Sequence, residues 1–181
     1  TFEAIVLHPS APVLPAVLAA AEHVDATGAD LITGYSVGVD VSLALGQATF
    51  PAHYDNGWHA TGTIGSFGAA AGACSVLGLA PTEVRNALGI VGSCSSSLLK
   101  NAGTMTKSFH AGHAASAGLR AAMLAKRGFT ADRDILDGPR GYGSVMTPDG
   151  AYDPSLISTV LEEECGVLDV GIKPYACGRI L

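Results

Sequence analysis

A mainly α-helical fold is predicted for this chain of 181 residues, helical through about residue 128 and mixed beyond it. Three observations predict it. Apolar residues recur at i, i+3, i+4 and i+7 in successive segments, a glycine- and alanine-rich run sits among them, and helix-stop chemistry closes the last long segment. With 48% hydrophobic and 14% charged residues, the chain is long enough to bury one real core.

In chain order, Leu14, Val17, Leu18 and Ala21 form the stripe of a first helix. Leu31, Tyr35, Val39 and Leu43 form a second stripe after the turn "DATGAD". From Gly62 to Gly78 the run "GTIGSFGAAAGACSVLG" carries glycines at 65, 68 and 72, each lowering helicity by up to about 1 kcal/mol relative to alanine. Close helix-to-helix approach over a small-residue face offsets such a cost, so this helix is expected at the centre. Pro81 and Thr82 open a further helix bearing Val84, Leu88 and Val91, with proline suited to the first turn. A helix over Ala111 to Arg127 ends in "AKRG", where Lys126 and Arg127 complement the negative end of the dipole and Gly128 supplies a left-handed cap. "DGPRGYGSVMTPDGAYDP" is turn-rich. Asp153 and Pro154 then suit the N-cap and N1 of a short helix ending before Gly166, and "VLDVGIKPY" reads as a strand. Residues 1–128 therefore form a helical core domain, and 129–181 a connection with the start of a second domain.

The net charge of −6 comes without a basic block, which argues against nucleic acid as a partner. No run of about 18 apolar residues is free of Gly, Ser or charge, so no spanning helix is expected. Cys74, Cys94, Cys165 and Cys177 lack a CxxC pattern and fit reduced thiols, hence a cytoplasmic setting, or a mitochondrial matrix if the source is eukaryotic. The ends, without an initiator methionine, a targeting pattern or a polar tail, read as the cut edges of a longer chain.

Chemistry concentrates at predicted element starts. His8 lies in "LHPSAP", His59 in "NGWHATGT", Lys107 and His110 in "TMTKSFHAGHAA" directly before the alanine helix, and Lys173 in "GIKPYACG". Helix N-termini offer free N–H groups and positive potential, and added lysines make such a place fit for a carboxylate. A small carboxylic acid is the natural ligand. Singly, each residue is as well explained as a solvated side chain or a helix cap. His110 and His113 are spaced for one helix face but lack an acidic or cysteine partner, so no metal is assigned. His23 and His53 receive no role, and "LEEECG" reads as a solvated acidic face.

The stretches "GWHATGTIGSFGAAAGACSVLGLAPTEVRNALGIVGS", "GTMTKSFHAGHAASAGLRAAMLAKRGFTA", "LDGPRGYG" and "KPYACGR" resemble the MmgE/PrpD family, almost end to end and in the family's motif order. Its activities include 2-methylcitrate dehydratase, cis-aconitate decarboxylase and iminodisuccinate epimerase. The resemblance implies a helical domain leading into a smaller α/β lid, a homodimer of intact chains, and chemistry on di- or tricarboxylic acids without metal or cofactor. It also implies that His8, His59, Lys107 and Lys173 are catalytic, with His110 supporting the lysine turn and binding substrate. A lyase reaction, dehydration or decarboxylation, is expected, with epimerisation on the same scaffold as the alternative. An aspartate the family places before the "HPS" motif and a tyrosine beyond the "KPY" element fall outside this chain, so the isolated segment is expected to be inactive. A non-catalytic helical dimerisation module is the reading from another class, and the four intact motif residues weigh against it.

Overall fold

A computed structural model describes residues 1–148, 150–162 and 166–172. It is about 66% helical, with no strand among the described residues. The helices are α1 (Ser10–His23), α2 (Gly28–Thr49), α3 (Ala52–Asp55), α4 (Ala60–Val76), α5 (Pro81–Gly92), α6 (Met105–Lys126), α7 (Tyr142–Met146) and α8 (Ser155–Glu162). Short 3₁₀ turns occupy Leu99–Asn101 and Gly166–Asp169.

Helix α4 is the hub, as its glycines predict: α1, α2, α5 and α6 all pack on it, and every residue from Ala60 to Cys74 is buried. Two small-residue faces permit this. A Cβ added at Gly68 would stand 2.5 Å from the Gly38 carbonyl oxygen, and one at Gly72 would stand 2.7 Å from that of Gly34, so α2 and α4 meet backbone to backbone. The second face receives α6. There a Cβ at Gly118 would come within 2.6 Å of both Ala69 Cβ and the Ala70 nitrogen. The glycines of α4 thus seat α2, while its alanines seat α6.

This tight packing corrects the two predicted stripes. On α1 the buried residues are Pro12, Val13, Ala16, Val17, Ala20 and Ala21, whereas Leu14 and Leu18 are each 44% exposed. On α2, Val39 is buried, but Leu31, Tyr35 and Leu43 are only half-buried, and the closest contacts come from Gly34, Gly38 and Ser42. A helix lying against a glycine face approaches closest with its own smallest residues, and larger apolar side chains are displaced to the flanks.

The helix ends follow local chemistry. Thr27 and Asp30 form a reciprocal capping box at α2, with the Asp30 N–H donating to Thr27 Oγ1 at 3.2 Å and the Thr27 N–H to Asp30 Oδ2 at 3.0 Å. Pro81 occupies the first turn of α5, and Gly128 ends α6 with φ +85°. Lys126 goes further than its own dipole. Its Nζ donates at 2.9 Å to the carbonyl of Leu77, the residue that closes α4, and so ties the two C-termini together.

Two further expectations need correction. Helix α6 begins at Met105, so Lys107 and His110 lie inside its first two turns rather than before it. Val167 to Asp169 belong to a 3₁₀ turn instead of a strand; the "KPY" end of that prediction lies outside the described residues. Asp153 does cap α8, its Oδ1 accepting the Ser155 N–H at 3.0 Å. Helix α8 packs on α2, and the Gly166 N–H donates to Asp40 Oδ1 at 2.8 Å. Among the described residues, no helix is long and apolar enough to cross a membrane.

Candidate active site at the start of helix α4

His59 is the N-cap residue of α4, with extended backbone and a side chain that caps nothing. Its backbone is fixed from both sides. The His59 N–H donates to the Ser97 carbonyl at 3.0 Å, and its own carbonyl accepts from the Gly62 N–H at 2.8 Å. An isolated antiparallel bridge between Trp58 and Leu98, with the Leu99 N–H on the Gly57 carbonyl at 2.8 Å, holds the turn before it. The imidazole is therefore aimed by the main chain and left available for other work.

The ring meets His110 from α6. The two Nδ1 atoms are 3.0 Å apart and both residues are buried. Gly62 makes this approach possible, because a Cβ there would lie 3.2 Å from His110 Cβ and would collide with the Ser97 hydroxyl. His8 arrives from the segment before α1. Its backbone N–H donates to Thr61 Oγ1 at 3.2 Å and its Nδ1 lies 3.1 Å from Thr1 Oγ1. Lys107 is half-buried one turn ahead of His110.

Burial pushes the His59 imidazole down to about 4, and the positive fields of His110, Lys107 and His8 add to it in that order. Burial, then His113 and Lys107, lower His110 as well. Both rings are neutral at pH 7. A neutral imidazole near a lysine can take a proton from carbon or oxygen, and the lysine draws in an anion.

Residues 1–155 match the family model of the MmgE/PrpD N-terminal domain. The chain belongs to the MmgE/PrpD family. It is 34% identical to human (Homo sapiens) cis-aconitate decarboxylase over 158 residues, covering 84% of this chain and 32% of the relative. The mouse (Mus musculus) cis-aconitate decarboxylase is 35% identical over 176 residues, 93% of this chain and 35% of that protein. The Aspergillus terreus cis-aconitate decarboxylase is 33% identical over 185 residues, 94% and 37% respectively. The chain thus spans about a third of the length of the curated relatives it matches.

Of the residues singled out in this MmgE/PrpD sequence, His8, His59, Lys107 and His110 are brought together, and Lys173 lies outside the described residues. The His110 and His113 pair separates. His110 turns to His59, while His113 stacks on Phe109 with ring centroids 5.5 Å apart. Among the described residues, no group of three or more His, Cys, Asp or Glu could hold a metal ion.

Sequence reasoning missed the residues that build the floor of the site. Thr63 Oγ1 lies 2.9 Å from His53 Nε2 and reaches the His59 carbonyl at 3.3 Å. His53 also meets the Tyr142 hydroxyl at 3.3 Å, and burial alone pushes its imidazole down to about 4. The available signal was "HATGT": a glycine between two threonines on the first turn of a buried helix has few uses besides hydrogen bonds and close approach. A hollow of about 680 Å³ lined by Phe2, Ile5, Leu43, Gln47, Phe50 and Leu156, with Glu3 and Asp169 at it, contains none of the described candidate residues.

Proposed function

We propose that the intact protein is a carboxylate lyase that decarboxylates cis-aconitate or a close tricarboxylic analogue, with His59 moving the proton. The observation that carries this reading is the geometry around His59: a buried imidazole held toward its neutral form, 3.0 Å from His110 Nδ1, with the Lys107 side chain one turn ahead of His110 on α6. Relatives named as cis-aconitate decarboxylases, with 33–35% identity, supply the reaction class.

In this scheme Lys107 pairs with a substrate carboxylate and stabilises negative charge as it develops. Loss of CO₂ breaks the bond from the carboxylate carbon to its neighbour and leaves the electron pair on that neighbour or on a conjugated carbon. A proton delivered from a histidine completes the product. His8 is assigned to the same chamber, and Lys173 is assigned a catalytic role on the family resemblance alone. The named residues supply proton transfer and charge stabilisation themselves, so no cofactor is assigned, and the intact protein is proposed to be a homodimer.

The test uses the full-length protein and measures CO₂ release from cis-aconitate. Lys107→Ala should abolish turnover while the melting temperature stays within about a degree, because a half-buried lysine near a helix start contributes little to the core. A parallel loss of melting temperature and activity would assign Lys107 to structure instead. Solvent deuterium entering the substrate without CO₂ release would move the protein to epimerisation.

A further inference from the structure

The contact between His59 and His110 is unusual in its atoms. Two Nδ1 positions at 3.0 Å can be joined only if one carries hydrogen and the other a lone pair. Neither ring can then choose its tautomer alone. Nδ1 of His59 is engaged by His110, so Nε2 is the nitrogen left to exchange a proton with a ligand.

We propose that His110 is a positioning residue rather than a substrate ligand: it fixes the tautomer of His59 and receives the His59 Nδ1–H when His59 is protonated on Nε2. In the empty site His59 carries its hydrogen on Nδ1 and gives it to the Nδ1 lone pair of His110, whose own hydrogen is on Nε2. A proton arriving at His59 Nε2 makes an imidazolium whose Nδ1–H already has its acceptor, so no ring rotates and no new hydrogen bond has to form. Delivering that proton to carbon returns the pair to its starting state, with one proton gained and one lost.

The surroundings decide when the pair charges. From α6 it is faced by Lys107 and His113, and from the segment before α1 by His8, all of which oppose a positive charge on it. A bound polycarboxylate reverses that field. The acid is thus generated by substrate binding, which keeps a proton donor out of the empty site and supplies one to the filled site. The packing favours permanence of the pair. Gly62 lets His110 approach, the Ser97 carbonyl fixes the His59 backbone, and both rings are buried.

This inference rests on the proposed lyase reading for its catalytic consequence, but its geometry can be tested without turnover. The full-length protein, labelled with ¹⁵N-histidine, is examined by long-range ¹H–¹⁵N correlation from pH 5 to 8, as wild type, His110→Phe and His110→Asn. Expected are a single His59 tautomer, protonated on Nδ1, in the wild type and mixed tautomers in His110→Phe. His110→Asn, which can present an acceptor near the same place, should recover most of the wild-type pattern. In kinetics His110→Phe should lower kcat at least about tenfold with KM within about threefold, and should shift the pH profile of kcat. A wild-type His59 tautomer that persists in His110→Phe would overturn the pairing. A rise in KM at unchanged kcat would overturn the positioning role and make His110 a substrate ligand. Intact pairing by resonance in a protein that releases no CO₂ from cis-aconitate would leave the pair standing and remove the lyase reading instead.

Discussion

The two halves of α4 use the same small residues for opposite ends. From Phe67 to Cys74 the helix is a dry contact surface: Gly68 and Gly72 admit the backbone of α2, and Ala69 and Ala70 admit Gly118 of α6. From His59 to Ser66 it is equally buried but polar. Thr61 holds the backbone of His8, Thr63 holds the ring of His53, and Ser66 Oγ donates to the Thr63 carbonyl at 2.7 Å. The comparison teaches that small size alone does not say what a buried residue is for. One half gains stability through proximity and is indifferent to pH. The other spends its buried positions on hydrogen bonds and neutral imidazoles, and its stability depends on protonation.

The sharpest way to break that contrast is at the dry end. Gly68→Leu places a branched side chain where even a Cβ would meet Ser42 Oγ and lie 2.5 Å from the Gly38 carbonyl oxygen. Overpacking against backbone should cost more than about 3 kcal/mol and lower the melting temperature by several degrees at every pH. Calorimetry that finds Gly68→Leu within a degree of wild type would remove the idea of a backbone-to-backbone crossing.

The polar end should instead fail with acid. His53 and His59 each sit near 4 in the folded chain against an ordinary value of 6.5. The unfolded chain therefore binds protons that the folded chain refuses between those values. The stability from the two neutral rings is complete above about pH 6.5 and is lost as pH falls toward 4, by up to roughly 3 kcal/mol for His53 and less for His59, whose shift is partly owed to neighbouring groups. His53 is the cleaner probe because burial is the one cause of its shift. His53→Gln should make the melting temperature fall less steeply between pH 7 and pH 5, whatever it does to the value at pH 7. An unchanged slope would mean that His53 is charged, or exposed, in the folded protein.

The smallest effect expected comes from a glycine in neither role. Gly112 lies within α6 and a Cβ there meets nothing within 4 Å. Gly112→Ala should raise the melting temperature slightly, worth less than about 1 kcal/mol, through the higher helix propensity of alanine. A clear loss would show that this position is in contact in the intact protein, and would place it with the packing glycines.

How much of this was legible before any coordinates varied along the chain. The glycine spacing at 65, 68 and 72 foretold a central helix, because a costly sequence must be offset by packing. Which neighbour each face receives was not legible. Gly34 and Gly38 stand within what reads as an ordinary apolar stripe, and Leu14 and Leu18 look like core until the smaller face of α1 wins the contact. For the site, the motif order exposed His8, His59, Lys107 and His110 as a set. Pattern could not show that His110 faces His59 and His113 does not, because spacing puts both on one side of a helix without saying which neighbouring segment each ring meets. His53 was passed over since nothing around it in sequence marks the Thr63 and Tyr142 that hold it.

The sequence by itself determined the long helices, several of their caps and the identity of the candidate chemical groups, since propensity, capping and side-chain type are local properties of the chain. Tertiary structure alone decided which small residues touch, that two imidazoles share one hydrogen, and that His53 and His59 are held neutral. Those three outcomes depend on distances between segments far apart in the chain and on the water that packing removes, and neither quantity is written in any single stretch of residues.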